Sequence, residues 1–245
     1  MGTAESGAQV AVLCGGRGSR LKPTTDTIPK ALVQLNGRPI LDYVIDFYYR
    51  KKFTKFILCI GYKGDKIKSY YADRANQIDI LFSDAGEDAS MLERIWQLQD
   101  LVEDRLVVSY GDTFIDLNLD SMLRQHITSE AGVTIVTAKI RNPFGLVTAD
   151  PDGWVTSFVE KPLLNYYIGS FVIEKSAFAC IKPEMLAKPD GQGLVEFFVS
   201  LSDSRQLATF EHQGNQITFN TETERQKAEE DLGQFHTYSE DAWAN

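Results

Sequence analysis

The sequence predicts an α/β protein with a Rossmann-like, doubly wound sheet that is mixed but mostly parallel and flanked by helices. Short apolar runs of strand length, Val10–Leu13, Phe56–Ile60 and Leu106–Ser109, alternate with segments of helical spacing through the first half of the chain. Glycine follows each run within two residues and ends it. Such alternation of strand and helix is typical of a mostly parallel sheet with helices on its faces.

The first half of the chain is predicted to contain strands joined by helices. The apolar spacing that begins at Pro39 suits an amphipathic helix, and an Asn-Gly turn precedes it. The predicted elements are, in order, a strand at 10–14, a short strand at 31–35, a helix at 39–52, a strand at 56–60, a helix at 65–72, a strand at 78–82, a helix at 90–101 and a strand at 106–109.

The second half is predicted to be richer in strands. The sequence Asp-Pro-Asp-Gly at 150–153 marks a turn between two of them. The expected elements are strands at 133–139, 145–148, 155–160, 167–173 and 217–219, with helices at 194–201 and 222–232. Because no repeat or linker interrupts the chain, we expect residues 1–245 to form one domain, with halves at about 10–118 and about 119–245.

Composition limits the classes of function. The net charge of −9 argues against general nucleic-acid binding, which needs a basic face. No apolar stretch approaches the roughly 20 residues that span a bilayer, and the first residues lack the features of a signal peptide. The three cysteines are widely spaced and suggest neither disulfides nor a zinc site. We therefore expect a cytoplasmic protein without nucleic-acid or membrane partners, and we expect His126, His212 and His236 to be surface residues.

A glycine-rich loop after the first strand is the first candidate site. Gly15, Gly16 and Gly18 fall within four positions, and Arg20 and Lys30 follow. Without Cβ atoms the backbone N–H groups of such a turn can approach a phosphate closely, and the two cations add positive charge. The pattern is neither the dinucleotide fingerprint nor the P-loop. The glycines alone leave open an ordinary strand-to-helix turn.

The whole stretch that contains this loop is more specific. It resembles the opening motif of the sugar nucleotidyltransferase (nucleotide-sugar pyrophosphorylase) family, a Gly-x-Gly-x-Arg-Leu-x-Pro-x-Thr pattern followed by Pro-Lys. The resemblance implies that Leu13 and the loop glycines hold a nucleoside triphosphate, that Arg20 stabilises the departing pyrophosphate and that Lys30 orients the reacting phosphates. The matching residues are Arg20, Leu21, Pro23, Thr25, Pro29 and Lys30.

A carboxylate at the end of the strand at 106–109 is the candidate metal ligand. Gly111-Asp112 follows this strand, and ligands of open α/β sheets bind at the carboxyl ends of the strands. An isolated Gly-Asp is more often only a turn. The family resemblance, however, implies that Asp112 binds Mg²⁺ and that Gly111 belongs to the nucleotide site. The family's second metal aspartate, in an Asp-Thr pair, is replaced here by Asn220, whose amide oxygen is a weaker candidate ligand.

The second half of the chain also resembles the family in its acceptor-binding motifs. Glu160-Lys161 precedes a proline, and in the family this motif contacts the acceptor sugar phosphate. Taken alone, it would be an exposed ion pair at a strand end. The resemblance adds Gly145 and Gly169 to the acceptor site, and places Tyr167 where the family has an asparagine. Loss of an amide and gain of an aromatic ring favour an unusual acceptor.

A narrower resemblance concerns the nucleotide base. The segment 61–68 resembles the glucose-1-phosphate cytidylyltransferase-like subgroup, and so does the following loop through Asp84, Gly86, Glu87 and Arg94. The resemblance favours CTP and implies that Gly86 and Glu87 bind the nucleotide. Relatives that use GTP and UTP share much of this pattern. The chain departs from the subgroup at Met91-Leu92-Glu93, where small residues are usual. This departure implies a reshaped base pocket or a relocated helix start.

The expected function is therefore a single nucleotidyltransferase domain with a nucleotide-binding half at 10–118 and an acceptor-binding half at 119–245. It would join a nucleoside triphosphate, CTP favoured, to a sugar 1-phosphate with Mg²⁺ and release pyrophosphate. The segment 29–34 also resembles phosphocholine and phosphonate cytidylyltransferases, which keeps a non-sugar acceptor open. Asn220 and the changes at 91–93 keep open a catalytically silent regulatory subunit. The sequence leaves room for a homo-oligomer.

Overall fold

The computed structural model describes residues 8–72 and 78–233. None of the helices in these ranges is long and apolar enough to cross a membrane. The strands are β1 (Ala8–Leu13), β2 (Gln34–Leu35), β3 (Arg38–Pro39), β4 (Lys55–Ile60), β5 (Asp79–Asp84), β6 (Arg105–Tyr110), β7 (Thr113–Ile115), β8 (Val133–Arg141), β9 (Leu146–Ala149), β10 (Val155–Val159), β11 (Leu163–Glu174), β12 (Leu207–His212) and β13 (Gln216–Thr218). The helices are α1 (Ile40–Arg50), α2 (Gly64–Tyr71), α3 (Met91–Trp96), α4 (Leu119–Ser129), α5 (Pro183–Leu186), α6 (Gln192–Asp203) and α7 (Glu222–Leu232).

Seven of the strands form the central sheet, in the order β12-β8-β11-β6-β1-β4-β5. Neighbouring strands are parallel except where β11 runs antiparallel to both β8 and β6. The predicted mixed, mostly parallel sheet is thus confirmed. The carboxyl ends of its parallel strands meet at one edge, which is where ligands bind in open α/β sheets.

Alternate side chains of the central strands face two separate hydrophobic cores. In β1, Val10 and Val12 pack on one face, whereas Ala11 and Leu13 pack on the other. Residues of α1, α2, α4 and α7 complete the first core, and residues of α3, α5 and α6 complete the second. Helices on both faces are the defining feature of a doubly wound sheet, so this prediction is also confirmed.

Helix α3 begins where the sequence places a capping box. The Ser90 hydroxyl accepts a hydrogen bond from the Glu93 N–H at 3.2 Å, and the Ser90 N–H donates to the Glu93 carboxylate at 2.6 Å. Leu92 packs in the second core. The helix, predicted at 90–101, ends at Trp96, and turns continue to residue 101. Of the three residues that depart from the subgroup pattern, Glu93 therefore completes the N-terminal cap of α3, and Leu92 anchors the helix in the second core.

Several expectations from the sequence differ from the structure. The predicted short strand at 31–35 is wrong, because residues 30–32 form a 3-10 turn and only Gln34–Leu35 are extended. Strands β3, β7 and β12 and helices α4 and α5 were not predicted. In α4 the inward face carries Leu119, Met122, Leu123 and a histidine between polar residues, which is a weak helical pattern.

The expectation of surface histidines is wrong for the two that the structure describes. His126 and His212 are buried, with 1% and 5% of their surface exposed, while His236 lies outside the described residues. His126 Nε2 lies 3.0 Å from a Glu174 carboxylate oxygen, and Nδ1 lies 2.7 Å from the Thr134 hydroxyl. Since a carboxylate only accepts, Nε2 carries the proton and Nδ1 accepts from Thr134 in the neutral ring.

We expect His126 to make the protein less stable in mild acid. Burial lowers the pKa of His126, and although Glu174 opposes this shift, Arg105 adds to it. The unfolded chain therefore binds a proton near pH 6.5 that the folded chain binds only at lower pH, so the free energy of unfolding falls as pH drops below about 6.5. Urea unfolding of the wild type and His126→Gln at pH 7.5 and 5.5 measures this. The wild type should lose more stability between the two pH values than the variant, and equal losses would contradict the prediction.

Candidate active site

The ligand edge of the sheet opens into a cleft of about 830 Å³. It collects residues from the loops that follow β1, β5 and β6, from β11 and from β13. The predicted site residues that line it are Leu13, Gly15, Gly16, Gly18, Arg20, Lys30, Glu87, Gly111, Asp112, Tyr167, Gly169 and Asn220. The predicted site residues absent from the described lining are Gly86, Gly145, Glu160 and Lys161.

Lys30 joins the two predicted metal ligands at the floor of the cleft. Its ammonium Nζ lies 2.6 Å from a carboxylate oxygen of Asp112 and 3.2 Å from the amide oxygen of Asn220. The Lys30 side chain is largely buried and lies over the Phe219 ring, 5.4 Å from its centroid. Lys30 therefore holds a fixed position between residues that are 82 and 190 positions away in the chain.

A small second sheet places Asn220 in this cluster. Strand β13 pairs antiparallel with β7, which follows Asp112 directly. The pairing sets Thr218 opposite Thr113, with their hydroxyl oxygens 3.3 Å apart, and Asn220 follows two residues later. Because β7 and β13 lie far apart in the sequence, no local pattern predicts their contact.

The oxygen atoms of this cluster suit Mg²⁺ rather than zinc. Carboxylate, amide and hydroxyl oxygens converge here, and the ammonium of Lys30 already sits between two of them. No group of three or more His, Cys, Asp or Glu side chains in the described parts of the chain is placed to hold a metal. Mg²⁺ normally uses one or two carboxylates and completes its shell with water and substrate phosphates. Asp112 with Asn220 fits that pattern.

The glycine loop contacts the buried side chain of Arg94, a residue that the sequence matches to the subgroup loop without giving it a role. The buried guanidinium donates to the carbonyl oxygens of Ile60, of Gly86 at 2.8 Å and of Gly15 at 3.4 Å. A Cβ on Gly15 or Gly61 would lie 2.5 Å from Arg94 Nη1. Gly15 and Gly61 thus make room for the guanidinium, and Gly86 contributes its carbonyl to the scaffold beneath the cleft.

The rest of the loop presents its cations to the cleft. Gly18 has φ +59°, which favours glycine, and its carbonyl accepts a hydrogen bond from the Thr25 hydroxyl at 2.9 Å. Arg20 follows in a short 3-10 turn and is exposed at the cleft. Within the described chain no carboxylate pairs with Arg20. Its charge is therefore available to an anionic ligand.

Arg17, at the tip of the same loop, was also missed. Its guanidinium lies 2.8 Å from an Asp88 carboxylate oxygen and 3.2 Å from one of Glu87. The hydrogen bond that Arg17 donates to Asp88 and the charges of both carboxylates raise the pKa of Arg17. The guanidinium carbon also lies 5.2 Å from the centroid of the Tyr62 ring. The loops after β1 and β5 therefore meet across one end of the cleft.

Tyrosines form the opposite end of the cleft. Tyr167 lies at an irregularity of β11, with its ring 6.1 Å from Tyr110 and 5.6 Å from Phe198. Gly169 has φ +84°, and a Cβ there would lie 2.9 Å from the Tyr110 ring. Burial raises the pKa of Tyr167 well above its ordinary value, and the neighbouring Tyr110 adds to this shift. Tyr167 therefore forms a neutral, aromatic wall at this end of the cleft.

The remaining predicted acceptor residues lie on or beside a hairpin outside the cleft. Strands β9 and β10 pair with each other and not with the central sheet. Glu160 and Lys161 follow β10, are exposed and form an ion pair at 3.7 Å. Gly145 packs against the ring of Phe158, and a Cβ on Gly145 would lie 2.8 Å from that ring. The structure does not bring these residues together with the Lys30 cluster.

This fold, with a glycine loop and a lysine, a carboxylate and an amide at the ligand edge, defines an open α/β protein with a polar cleft at the carboxyl ends of its strands. The family model for nucleotidyl transferases matches residues 9–242. The chain therefore belongs to the nucleotidyl transferase family. The predicted family resemblance is confirmed.

Two curated relatives differ in the nucleotide that their names specify. A probable glucose-1-phosphate cytidylyltransferase of Bacillus subtilis (strain 168) is 31% identical over 229 residues, which cover 83% of this chain and 87% of the relative. A UTP–glucose-1-phosphate uridylyltransferase of Synechocystis is 25% identical over 199 residues, covering 74% of this chain and 51% of the relative. These relatives therefore do not show which nucleotide base this chain uses.

The fold has solved counterparts. The structure of a UTP-bound UGPase from Acinetobacter baumannii matches with a TM-score of 0.70 and covers 94% of each chain. Sequence identity in this match is 16%, so the comparison supports the fold alone. It agrees with the doubly wound, mixed sheet of the present chain.

Proposed function

We propose that the protein is an Mg²⁺-dependent nucleotidyltransferase that joins a nucleoside triphosphate, with CTP favoured, to a sugar 1-phosphate and releases pyrophosphate. The observation that carries this proposal is the cluster of Lys30, Asp112 and Asn220 beside a glycine loop that presents Arg20. Two polyanions must meet for this reaction. The cluster provides fixed positive charge and metal-ligating oxygens where they would meet.

The proposed chemistry is one displacement at phosphorus. A phosphate oxygen of the acceptor attacks the α-phosphorus of the triphosphate, the bond to the bridging oxygen breaks, and pyrophosphate leaves with the electron pair. Backbone N–H groups from Gly15 to Gly18 bind the triphosphate, Arg20 offsets the negative charge of the leaving group, and Lys30 orients the reacting phosphates. Mg²⁺ bound by Asp112 and Asn220 would supply further charge compensation. Catalysis then rests on positioning and electrostatics.

Different observations support the proposed nucleotide and the proposed acceptor. CTP is favoured by the 31% identical relative, whose name specifies a cytidylyltransferase, and by the resemblance of the segment 61–68 and of the loop with Gly86 and Glu87 to that subgroup. Both relatives act on glucose 1-phosphate according to their names, which supports a sugar 1-phosphate. Tyr167 at the acceptor end of the cleft favours a sugar that presents an apolar face to an aromatic ring.

Pyrophosphate release decides between this function and its alternatives. The purified protein is incubated with each of four nucleoside triphosphates against sugar 1-phosphates, phosphocholine and a phosphonate, with Mg²⁺ or with a chelator. We expect release with CTP and a sugar 1-phosphate, and none when the metal is chelated. Activity only with phosphocholine or the phosphonate would overturn the acceptor assignment.

A silent sensor would give a different result in the same experiment. Replacement of an aspartate by Asn220 reduces the negative charge available to a metal, which is the observation that favours this second candidate. In that case no acceptor would yield pyrophosphate, while calorimetric titration would still detect nucleotide binding. Release at a rate that saturates with acceptor would exclude the sensor.

A further inference from the structure

The ion-pair cluster of Arg17, Glu87 and Asp88 closes one end of the cleft. All three residues line the cleft. Arg17 Nη2 lies 3.2 Å from Glu87 Oε2 and 2.8 Å from Asp88 Oδ1, and the Tyr62 ring supports the guanidinium. The cluster therefore presents hydrogen-bond donors and acceptors side by side to any ligand that enters this end.

The contribution of this ion-pair cluster to folding stability is too small to explain its arrangement. The side chains of Arg17 and Glu87 are 51% and 53% exposed, and that of Asp88 is 92% exposed. Ion pairs with such exposure contribute little to stability because water and salt screen them and the side chains lose conformational freedom. An arginine flanked by two carboxylates at the mouth of a ligand cleft is better explained by recognition of a ligand.

The order of the strands indicates which part of the nucleotide reaches this cluster. In the proposed function, the reacting phosphorus lies at Lys30 and Asp112, beyond the end of β6, and the glycine loop follows the adjacent strand β1. Strands β4 and β5 come next in the sheet, and Glu87 and Asp88 follow β5. A triphosphate laid across the loop with its α-phosphorus at the Lys30 cluster extends its nucleoside towards the ends of β4 and β5. The base then lies beside Arg17 and Glu87.

We infer that Glu87 and Arg17 select cytosine over uracil, with Asp88 as a positioning residue for Arg17. This inference rests on the proposed function, because it takes the phosphate positions from it. A carboxylate accepts a hydrogen bond from the exocyclic amino group of cytosine, whereas uracil presents an oxygen at that position and would be repelled. The Arg17 guanidinium only donates, which suits the ring nitrogen and carbonyl acceptors of cytosine. Asp88 keeps Arg17 in place when Glu87 turns to the base.

The test compares binding of CTP and UTP in the presence of Mg²⁺ and without acceptor. We expect the wild type to bind CTP about tenfold or more tightly than UTP, as for one well-placed base contact. In Glu87→Gln the amide can donate to uracil as well as accept from cytosine, so the preference should fall at least about fivefold. Glu184→Gln removes the same charge from the exposed helix α5 and should keep the wild-type ratio.

The outcomes separate this inference from the proposed function. Equal affinity of the wild type for CTP and UTP, or an unchanged ratio in Glu87→Gln, would overturn the inference. If Glu87→Gln does not fold, Glu87→Ala provides the same comparison, since it removes the acceptor entirely. Absence of pyrophosphate release with a retained, Glu87-dependent preference for CTP would refute catalysis but leave the base assignment in place. Pyrophosphate release without a preference for CTP would support catalysis and refute the base assignment.

Discussion

Replacing Asp112 with asparagine should lower kcat/KM for pyrophosphate release by about 10³-fold or more. The substitution keeps the size of the side chain but removes its charge, so it weakens the bond to Lys30 and the affinity for Mg²⁺ together. Loss of one preorganised electrostatic contact in an active site typically costs 10²–10³-fold, and loss of a metal ligand adds to this. The measurement is steady-state pyrophosphate release with CTP and a sugar 1-phosphate at saturating Mg²⁺.

Asp116→Asn is the matched control for this prediction. Asp116 lies four positions further along the chain, is exposed and does not line the cleft, so the same loss of charge should leave activity within about twofold of the wild type. Circular dichroism should show that both variants are folded. If Asp112→Asn retains more than about a tenth of the activity, Asp112 is not the metal ligand.

The first half of the fold could be predicted because its signals are local. Strands β1, β4 and β6 are apolar runs buried on both faces, and a glycine follows each within two residues. Their periodicity and length distinguish them from the helices that follow. The glycine loop and Asp112 lie at the carboxyl ends of parallel strands, where ligands of open α/β sheets bind. Their predicted roles, however, come from the resemblance of their motifs to the family, since each motif alone could be an ordinary turn.

The contacts that complete the site could not be predicted from local patterns. Asn220 reaches Lys30 only because β13 pairs with β7, and β7 is too short to produce a clear alternation. Arg94 looks like an ordinary charged residue of an amphipathic helix, yet it is buried among backbone carbonyls. The sequence matches Arg94 to the loop of the cytidylyltransferase-like subgroup, but only the fold shows that a Cβ on Gly15 or Gly61 would collide with its guanidinium.

Arg94→Ala should lower the free energy of unfolding by about 3 kcal/mol and weaken nucleotide binding. The guanidinium donates to carbonyls of Ile60, Gly15 and Gly86, and so connects the segments that follow β1, β4 and β5. Its removal takes a donor from the carbonyl oxygens of Ile60 and Gly86, while the Gly15 carbonyl keeps the Tyr62 N–H at 3.0 Å. A buried carbonyl left without a donor costs about 1–3 kcal/mol before solvent or rearrangement compensates. Chemical unfolding and titration with CTP measure the two effects. Unchanged stability would show that water replaces the guanidinium.

A double-mutant cycle with Gly61 tests whether that glycine exists to accommodate Arg94. The three atoms nearest to a Cβ at Gly61 all belong to the Arg94 guanidinium, at 2.5 to 2.8 Å. Gly61→Ala should therefore destabilise the wild type by about 1–3 kcal/mol but have little effect when residue 94 is alanine, which gives a coupling energy of about 1 kcal/mol or more. Gly16→Ala is the control, since a Cβ there meets nothing within 4 Å. Additive effects of Gly61→Ala and Arg94→Ala would mean that Gly61 is required for its backbone conformation and not to make space for the guanidinium. The glycines after β1 and β4 would then need separate explanations.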